Sequence, residues 1–319
     1  MPQMTPAQAR GQDLELTEVA RGYNSPISPV ADLLFPFVST TKRGGKILVF
    51  GTDSYKLLNT QRAPGANIKR VQFGYAGDDY ALVDHDLEAV VPDEIGQEAD
   101  SLPLDLRAMH VNGVQDLMAR ERENMAAQLA TNPANYALSN KAALSGTDMW
   151  SDPASDPQRD IMEAREVVRR RIGRRPDALV VSPIARFWLS IHPKITARLP
   201  GGNGADNKLI QNATLDDLSR ILEVRVVEGD ATYHDGSSFV DIWGNTAVLA
   251  FTNPGAAREM GSPNYGYTYR LSGRPSVTEP YYENNQKSWI YGVHDAYKPV
   301  LVGADAGFLF SNVGTDPAA

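Results

Sequence analysis

Side chains that could carry acid–base or metal chemistry are few in this chain. It has five histidines and no cysteine, so no thiolate is available for catalysis, metal binding or disulfide formation. Two short runs join histidine to carboxylates, Asp84-His85-Asp86 and His234-Asp235. Neighbouring side chains on a strand point in opposite directions, however, and His-Asp-Gly is typical of a turn. We therefore predict no metal site and no catalytic site at these positions.

The sequence also lacks the common motifs for nucleotide binding and hydrolysis. Gly201-Gly202-Asn203-Gly204 lacks the lysine and the Ser/Thr of a phosphate-binding loop, and it does not join a strand to a helix. The sequence contains no HExxH, no G-x-S-x-G and no EF-hand loop. We expect neither a catalytic residue nor a cofactor, and we interpret the glycine-rich stretch as a surface loop.

The charge balance argues against a protein that grips nucleic acid tightly over its whole surface. The chain has 31 Lys+Arg and 39 Asp+Glu, which gives a net charge of -8. Binding to phosphate groups relies on a positive electrostatic field. One stretch is locally basic, and a solvated or ion-pairing helix face is its simplest interpretation. The residues of that stretch are Arg165, Arg169, Arg170, Arg171, Arg174 and Arg175.

Aromatic residues are frequent after Gly261, where Arg270 and Arg274 also lie. A platform for stacking nucleic-acid bases is one interpretation. The acidic net charge favours another, a β-rich core and subunit interface.

Length and hydropathy indicate a globular protein with room for two compact domains in 319 residues. No run of 18 apolar residues and no charged-then-apolar leader occurs. We expect a cytosolic protein with no membrane partner.

At the N-terminus, the sequence gives few signals for regular secondary structure. Residues 1–36 are interrupted by prolines and form an arm without a core of its own. Strand signals start at Lys46 and resume at Ile68, with a Pro-Gly turn between them, which predicts a long β-hairpin. A two-stranded hairpin is marginal in water, so we expect arm and hairpin to find cover on neighbouring subunits.

More regular signals follow. A long helix is predicted at about 102–131, with Pro103 in its first turn and Asn132-Pro133 after its end. The other predicted helices cover 157–172, 182–191 and 214–222, and the predicted strands cover 178–181, 224–227, 239–243, 246–251, 300–302 and 308–310.

This order of segments resembles the major capsid proteins of tailed bacteriophages, which have the Hong Kong 97 type fold. The resemblance covers nearly the whole chain and rests on three stretches. They are Lys46-Ile-Leu-Val-Phe-Gly-Thr-Asp through Ala89-Val-Val-Pro-Asp-Glu94, Pro176-Asp-Ala-Leu-Val-Val-Ser-Pro183, and the strand pair Asp241-Ile-Trp-Gly-Asn-Thr-Ala-Val-Leu-Ala-Phe251.

The resemblance implies an α+β fold with five segments. They are an N-terminal arm (1–36), an extended β-hairpin loop (37–92), a peripheral domain (93–176) with a spine helix at about 102–131, an axial α/β domain (177–258), and a return to the peripheral domain with a C-terminal tail (259–319).

The same resemblance implies a subunit that self-assembles as pentamers and hexamers into an icosahedral shell, enclosing double-stranded DNA without sequence-specific binding. Its place would be the virion capsid, after assembly in the host bacterial cytoplasm, with a portal and separate scaffold or decoration proteins as candidate partners. Candidate contacts between subunits are Lys56, Arg62, Lys69, Arg70, Asp78, Asp79, Gly201, Gly202 and Asn203.

Two alternatives stay open on sequence alone. An encapsulin-like nanocompartment shell has the same fold but encloses cargo enzymes. A small-molecule-binding α/β enzyme centred on 177–258 would have a concave pocket instead.

Overall fold

The computed structural model describes residues 12–23, 25, 29–46, 57, 60–62, 79–95, 105–199, 212–253 and 263–317. Within them the helices are α1 (Leu14–Gly22), α2 (Pro29–Leu34), α3 (Leu106–Ala130), α4 (Pro157–Ile172), α5 (Pro183–Ile191), α6 (Pro193–Thr196) and α7 (Leu215–Leu222).

The strands of the first half are β1 (Gln12–Asp13), β2 (Phe37–Thr40), β3 (Gly44–Lys46), β4 (Asp79–Ala81), β5 (Val83–Pro92), β6 (Lys141–Ala143) and β7 (Ala178–Val181). Those of the second half are β8 (Arg225–Glu228), β9 (Thr232–His234), β10 (Phe239–Asp241), β11 (Thr246–Ala250), β12 (Gly266–Leu271), β13 (Ser276–Thr278), β14 (Tyr281–Glu283), β15 (Ser288–Leu301) and β16 (Gly307–Ser311).

Two sheets organise these strands. The seven-stranded sheet has the order β1-β13-β15-β12-β2, with β14 and β5 also paired to β15. The five-stranded sheet has the order β6-β16-β11-β7-β8. Its strand β7 is buried along its whole length, as expected for a strand covered on both faces. The pairs β3–β4 and β9–β10 form separate two-stranded sheets.

The long helix α3 lies against the seven-stranded sheet. The carboxylate of Asp105 caps its first turn by accepting hydrogen bonds from the backbone N–H groups of Arg107 and Ala108. Its 25 residues correspond to roughly 37 Å at 1.5 Å rise per residue. The predicted long helix is confirmed from residue 106 onward, while residues 101–104 lie outside the described part.

Local capping signals fixed the next helices where they were predicted. Asp156 caps α4 through the N–H of Arg159, and Gly173 ends that helix in the left-handed conformation. Thr214 and Asp217 form a reciprocal capping box at the start of α7.

The largest hydrophobic core joins both sheets to the helices around them. Its bulkiest fully buried side chains include Trp150, Trp243, Tyr265 and Phe310. A second, smaller core lies between α1, α3 and β15, with Leu16, Val114 and Val293 as members.

The N-terminal segment corrects one prediction. Residues 1–36 were expected to find their cover on neighbouring subunits, whereas side chains in 12–23 and 29–36 are covered by their own subunit. Leu16 and Ala20 of α1 pack in the smaller core. Leu34, the last residue of α2, and Phe35, which follows it, are completely buried in the larger one. Apolar residues too widely spaced to form a local core are covered here by α3 and the seven-stranded sheet.

A second correction concerns the strand pair predicted between Asp241 and Phe251. Strand β10 pairs with β9, whereas β11 lies between β7 and β16 in the five-stranded sheet. Trp243 lies two residues after the end of β10, and its buried indole donates a hydrogen bond to Glu123 of α3. The two strands that the sequence places side by side therefore belong to different sheets.

Both ends of the predicted hairpin loop are strands. Strand β2 pairs in parallel with β12, and β5 pairs with β15 from Val83 to Pro92. Strands β3 and β4 pair between them, with Lys46 opposite Asp79. The predicted strands at 47–50 and 68–75 lie outside the described residues.

Candidate subunit-contact surfaces

An ion pair fixes the base of the segment that runs from β3 to β4. Nη1 of Arg43 donates to both carboxylate oxygens of Asp84, at 2.8 and 2.6 Å. This hydrogen bond, more than the charge of Arg43, lowers the pKa of Asp84. Both side chains are about half exposed, so the pair contributes little to stability and mainly holds the chain before β3 against β5.

Tyr80 of β4 ties the same base to the seven-stranded sheet. Its ring stacks on Tyr269 of β12, with centroids 4.3 Å apart and planes at 12°. Its hydroxyl lies 3.1 Å from that of Thr40 on β2. These contacts fix strand β4 on the seven-stranded sheet of its own subunit.

The structure places two of the nine predicted contact residues, and both are exposed. Asp79 begins β4, and Arg62 lies in the described stretch 60–62. The other seven lie outside the described residues: Lys56, Lys69, Arg70, Asp78, Gly201, Gly202 and Asn203.

Strand β5 forms an exposed edge of the seven-stranded sheet. Within the described ranges it is paired only to β15, so the outward-pointing backbone groups of every second residue of this ten-residue strand have no strand partner there. Val83 and Leu87 share a face with buried Val91, yet they are 46% and 38% exposed. An edge of this kind can accept a strand from another chain.

The opposite face of β5 is acidic. Asp84, Asp86 and Glu88 follow each other at every second position, so their side chains lie on the same face. Asp86 accepts from Nδ1 of His294 at 2.7 Å, and Glu88 accepts from the hydroxyl of Tyr281. Sequence reasoning noted these acids but missed the exposed apolar residues of β5, because alternation shows a face without showing what covers it.

The tyrosines of the C-terminal part divide between core and surface. Tyr265 and Tyr297 are buried, as the predicted β-rich core requires. Tyr282 and Trp289 remain exposed at the end of β15, in edge-to-face contact at 5.4 Å, and the hydroxyl of Tyr282 donates to Asp93 at 2.6 Å. Exposed aromatic pairs of this type are common in protein interfaces.

The short β9–β10 hairpin ends in the His-Asp-Gly sequence, which forms a turn. The carboxylate of Asp235 accepts hydrogen bonds from the N–H groups of Ser238 and Ser237, which lower its pKa to about 2. Nδ1 of His234 accepts from the N–H of Gly236. In the described part of the chain no group of three or more His, Cys, Asp or Glu side chains is arranged to hold a metal ion. Phe239 beside the turn is 76% exposed.

Within the same described ranges, no helix combines the length and apolar character needed to cross a membrane.

Comparison with known proteins gives close relatives of one kind. No family model matches the sequence. The major capsid protein of Burkholderia phage BcepMu is 35% identical over 307 residues, which cover 94% of this chain and 96% of the relative. The major capsid protein of Pseudomonas phage JBD67 is 27% identical over 312 residues, with the same two coverages.

Solved structures agree with these relatives. A phage-related protein from Bordetella bronchiseptica RB50 is 39% identical, with a TM-score of 0.78 over 97% of this chain and 99% of that one. The mature capsid of bacteriophage PhiM1 has a TM-score of 0.51 over 91% of this chain and 87% of its own, at 15% identity. The SrpI encapsulin of Synechococcus elongatus has a TM-score of 0.54 over 95% of each chain, at 13% identity. The last two likenesses concern the fold alone, and the predicted α+β fold of Hong Kong 97 type is confirmed.

Proposed function

The chain belongs to the family of phage major capsid proteins, and we propose that its copies assemble as pentamers and hexamers into an icosahedral shell around double-stranded DNA. Membership of this family gives the protein a structural role, and its location is the virion capsid. The encapsulin likeness, at 13% identity, carries no argument for enclosed enzymes. Assembly in the host cytoplasm, a portal and separate scaffold or decoration proteins belong to the same proposal.

The observation that carries the assembly proposal is the exposed edge strand β5. It combines unpaired backbone groups within the described residues, the exposed apolar side chains of Val83 and Leu87, and an acidic opposite face. A long edge of this kind left open would favour uncontrolled association in a monomer, whereas in a shell subunit a neighbour covers it.

The partner that fits this edge is the basic hairpin loop of a neighbouring subunit. Its cations are Lys56, Arg62, Lys69 and Arg70, opposite in sign to the face of Asp84, Asp86 and Glu88. Charge pairing of this kind sets the register of a contact more than its strength. Many such contacts together hold a subunit in the shell, because each engaged contact raises the effective concentration of the others.

The division into segments is part of the proposal. We place the arm at 1–36, the loop at 37–92, the peripheral domain at 93–176 and 259–319, and the axial domain at 177–258. Asp78 and Asp79 would contact neighbours beside the loop, and Gly201, Gly202 and Asn203 would do so near the local symmetry axis.

The test is charge reversal followed by charge restoration. Arg62→Glu, Lys69→Glu and Arg70→Glu together should leave a folded subunit and reduce the yield of particles seen by negative-stain electron microscopy. Adding Asp86→Lys and Glu88→Lys on β5 should restore part of that yield, because the two surfaces are again opposite in sign.

A matched control reverses three exposed cations outside the loop, Arg107→Glu, Arg159→Glu and Arg220→Glu. It should assemble like the unaltered protein. Normal particles from the loop variant would refute the role of the loop, and wild-type protein that forms no shell under any condition of assembly would refute the proposed function itself.

A further inference from the structure

A compact group of exposed arginines lies at the C-terminal end of α4. Five of them fall within seven consecutive residues and all are exposed: Arg169, Arg170, Arg171, Arg174 and Arg175. Strand β8 begins beside them with a sixth, exposed Arg225, whose N–H donates to the carbonyl of Asp177. We call these six residues the arginine face.

Ion pairing within the subunit accounts for only part of this face. Glu166 accepts from both Arg169 and Arg170, and these hydrogen bonds lower the pKa of its carboxyl to about 2. Arg171 donates to the hydroxyl of Ser139 at 2.8 Å.

The other three arginines of the face make no side-chain hydrogen bond or ion pair with the described residues. They are Arg174, Arg175 and Arg225. The carboxylate of Asp177 accepts from the N–H of Thr252. The stretch 169–175 carries five arginines and no acidic residue, so it is far more basic than the chain as a whole.

The stability of α4 explains some of these residues and not others. Cations in the last turn of a helix interact favourably with its dipole, which suits Arg169, Arg170 and Arg171. The helix ends at Gly173, however, and the dipole effect is confined to the last turn. Arg174 and Arg175 lie beyond it, so the helix dipole does not account for their charges.

We infer that the arginine face is a sequence-independent binding site for the phosphate backbone of the double-stranded DNA enclosed by the shell. A guanidinium group offers a planar pair of donors that matches two phosphate oxygens. Protein–DNA interfaces are rich in exposed positive charge, whereas the centres of protein–protein interfaces are apolar and poor in charge. The net charge of -8 does not prevent local binding, because salt screens charges more than about 8 Å apart at physiological ionic strength.

This inference rests on the proposed shell function, and its test separates the two. The unassembled subunit is titrated with a fluorescent DNA duplex of mixed sequence at several salt concentrations. Arg174→Gln with Arg175→Gln should weaken binding at least tenfold at low salt. It should also reduce the slope of log affinity against log salt by about 2, since each lost phosphate contact removes about 0.9.

The control pair Lys42→Gln with Arg107→Gln removes the same net charge elsewhere and should leave affinity and slope within twofold of the unaltered subunit. If both double variants lost the same affinity and slope, the loss would reflect net charge alone, and the inference would be overturned. The inference would also be overturned if the Arg174/Arg175 variant kept its affinity for the duplex but formed no particles. That result would assign the face to contacts between subunits.

The final experiment uses intact particles. If the face meets enclosed DNA, wild-type shells seen by electron microscopy should bind externally added duplex much more weakly than the free subunit does. Equal binding would place the face on the outside and contradict the inference, while the shell itself would stand. Absence of shells would instead count against the proposed function.

Discussion

The indole of Trp243 donates a hydrogen bond of 2.6 Å from Nε1 to the carboxylate of Glu123, and both side chains are buried. The other carboxylate oxygen accepts from the N–H of Ala31 in α2 at 2.9 Å. One buried acid on the long helix α3 thus joins the N-terminal segment to the chain that follows the β9–β10 hairpin. Such a group is stabilising only while its partners are present, because burying a donor or charge without one is costly.

Replacing that acid should destabilise the subunit strongly. Glu123→Ala leaves the indole N–H of Trp243 and the N–H of Ala31 buried without an acceptor, a cost of roughly 3 kcal/mol. Chemical denaturation of the unassembled subunit measures it. Gln128→Ala on an exposed position of the same helix is the control and should change stability by less than about 0.5 kcal/mol. Similar values for both would show that the Glu123 contacts contribute nothing.

Two glycines should respond to alanine with opposite signs. A Cβ at Gly266 would lie 2.3 Å from the ring of Phe35 and 2.9 Å from the carbonyl of Val300, so Gly266→Ala should cost about 1–3 kcal/mol. A Cβ at Gly113 meets nothing within 4 Å, and alanine there should stabilise α3 by up to about 1 kcal/mol. Thermal unfolding of both variants checks the pair. A harmless Gly266→Ala would contradict the packing of the N-terminal segment on its own subunit.

The ion pair between Arg270 and Asp295 should behave as a coupled unit. Nε of Arg270 donates to Asp295 at 2.8 Å, and Asp295 is 3% exposed. Asp295→Ala leaves a largely buried guanidinium unpaired and should cost about 3 kcal/mol. The double variant with Arg270→Ala should lose less than the two single losses combined. A strictly additive cycle in denaturation experiments would show that the pair is not coupled.

His192 should make stability depend on pH. Burial is the main cause that lowers the pKa of this histidine below its ordinary value of 6.5. Its Nδ1 accepts from the N–H of Lys194, an interaction that requires the neutral ring. The unfolded chain therefore takes up a proton first. The contribution is complete above pH 6.5 and is lost as the pH falls through the lowered pKa.

The measurement for His192 compares unfolding free energies at pH 7.5 and pH 5. His192→Asn retains a side chain able to cap α6 and should show a smaller drop between the two pH values than the unaltered protein. An equal or larger drop in the variant would place the pH dependence on other groups.

Local signals decided much of the secondary structure from sequence. Helices α4, α5 and α7 match the predicted ranges 157–172, 182–191 and 214–222 to within one residue, because capping depends on side chains within one turn of the helix. The long helix was predicted in the same way from its apolar spacing and the Asn132-Pro133 stop. The order of these elements was also sufficient for the resemblance to phage capsid proteins.

Contacts between distant segments were beyond such signals. The predicted pair of strands at 239–251 is divided between two sheets, because β10 pairs with β9 whereas β11 pairs with β7 and β16, which come from distant parts of the chain. The N-terminal segment found cover on α3 and the seven-stranded sheet of its own subunit, which no local pattern in residues 12–36 indicates.

The candidate contact surfaces divide along the same line. The sequence alone identified individual charges: the acids Asp84 and Asp86, the arginines around α4 and the cations of the predicted hairpin. Tertiary structure decided that Val83 and Leu87 stay exposed and that Arg174, Arg175 and Arg225 find no partner among the described residues. The physical reason is that residue type and spacing fix which side chains share a face, whereas coverage of that face depends on elements far away in the chain.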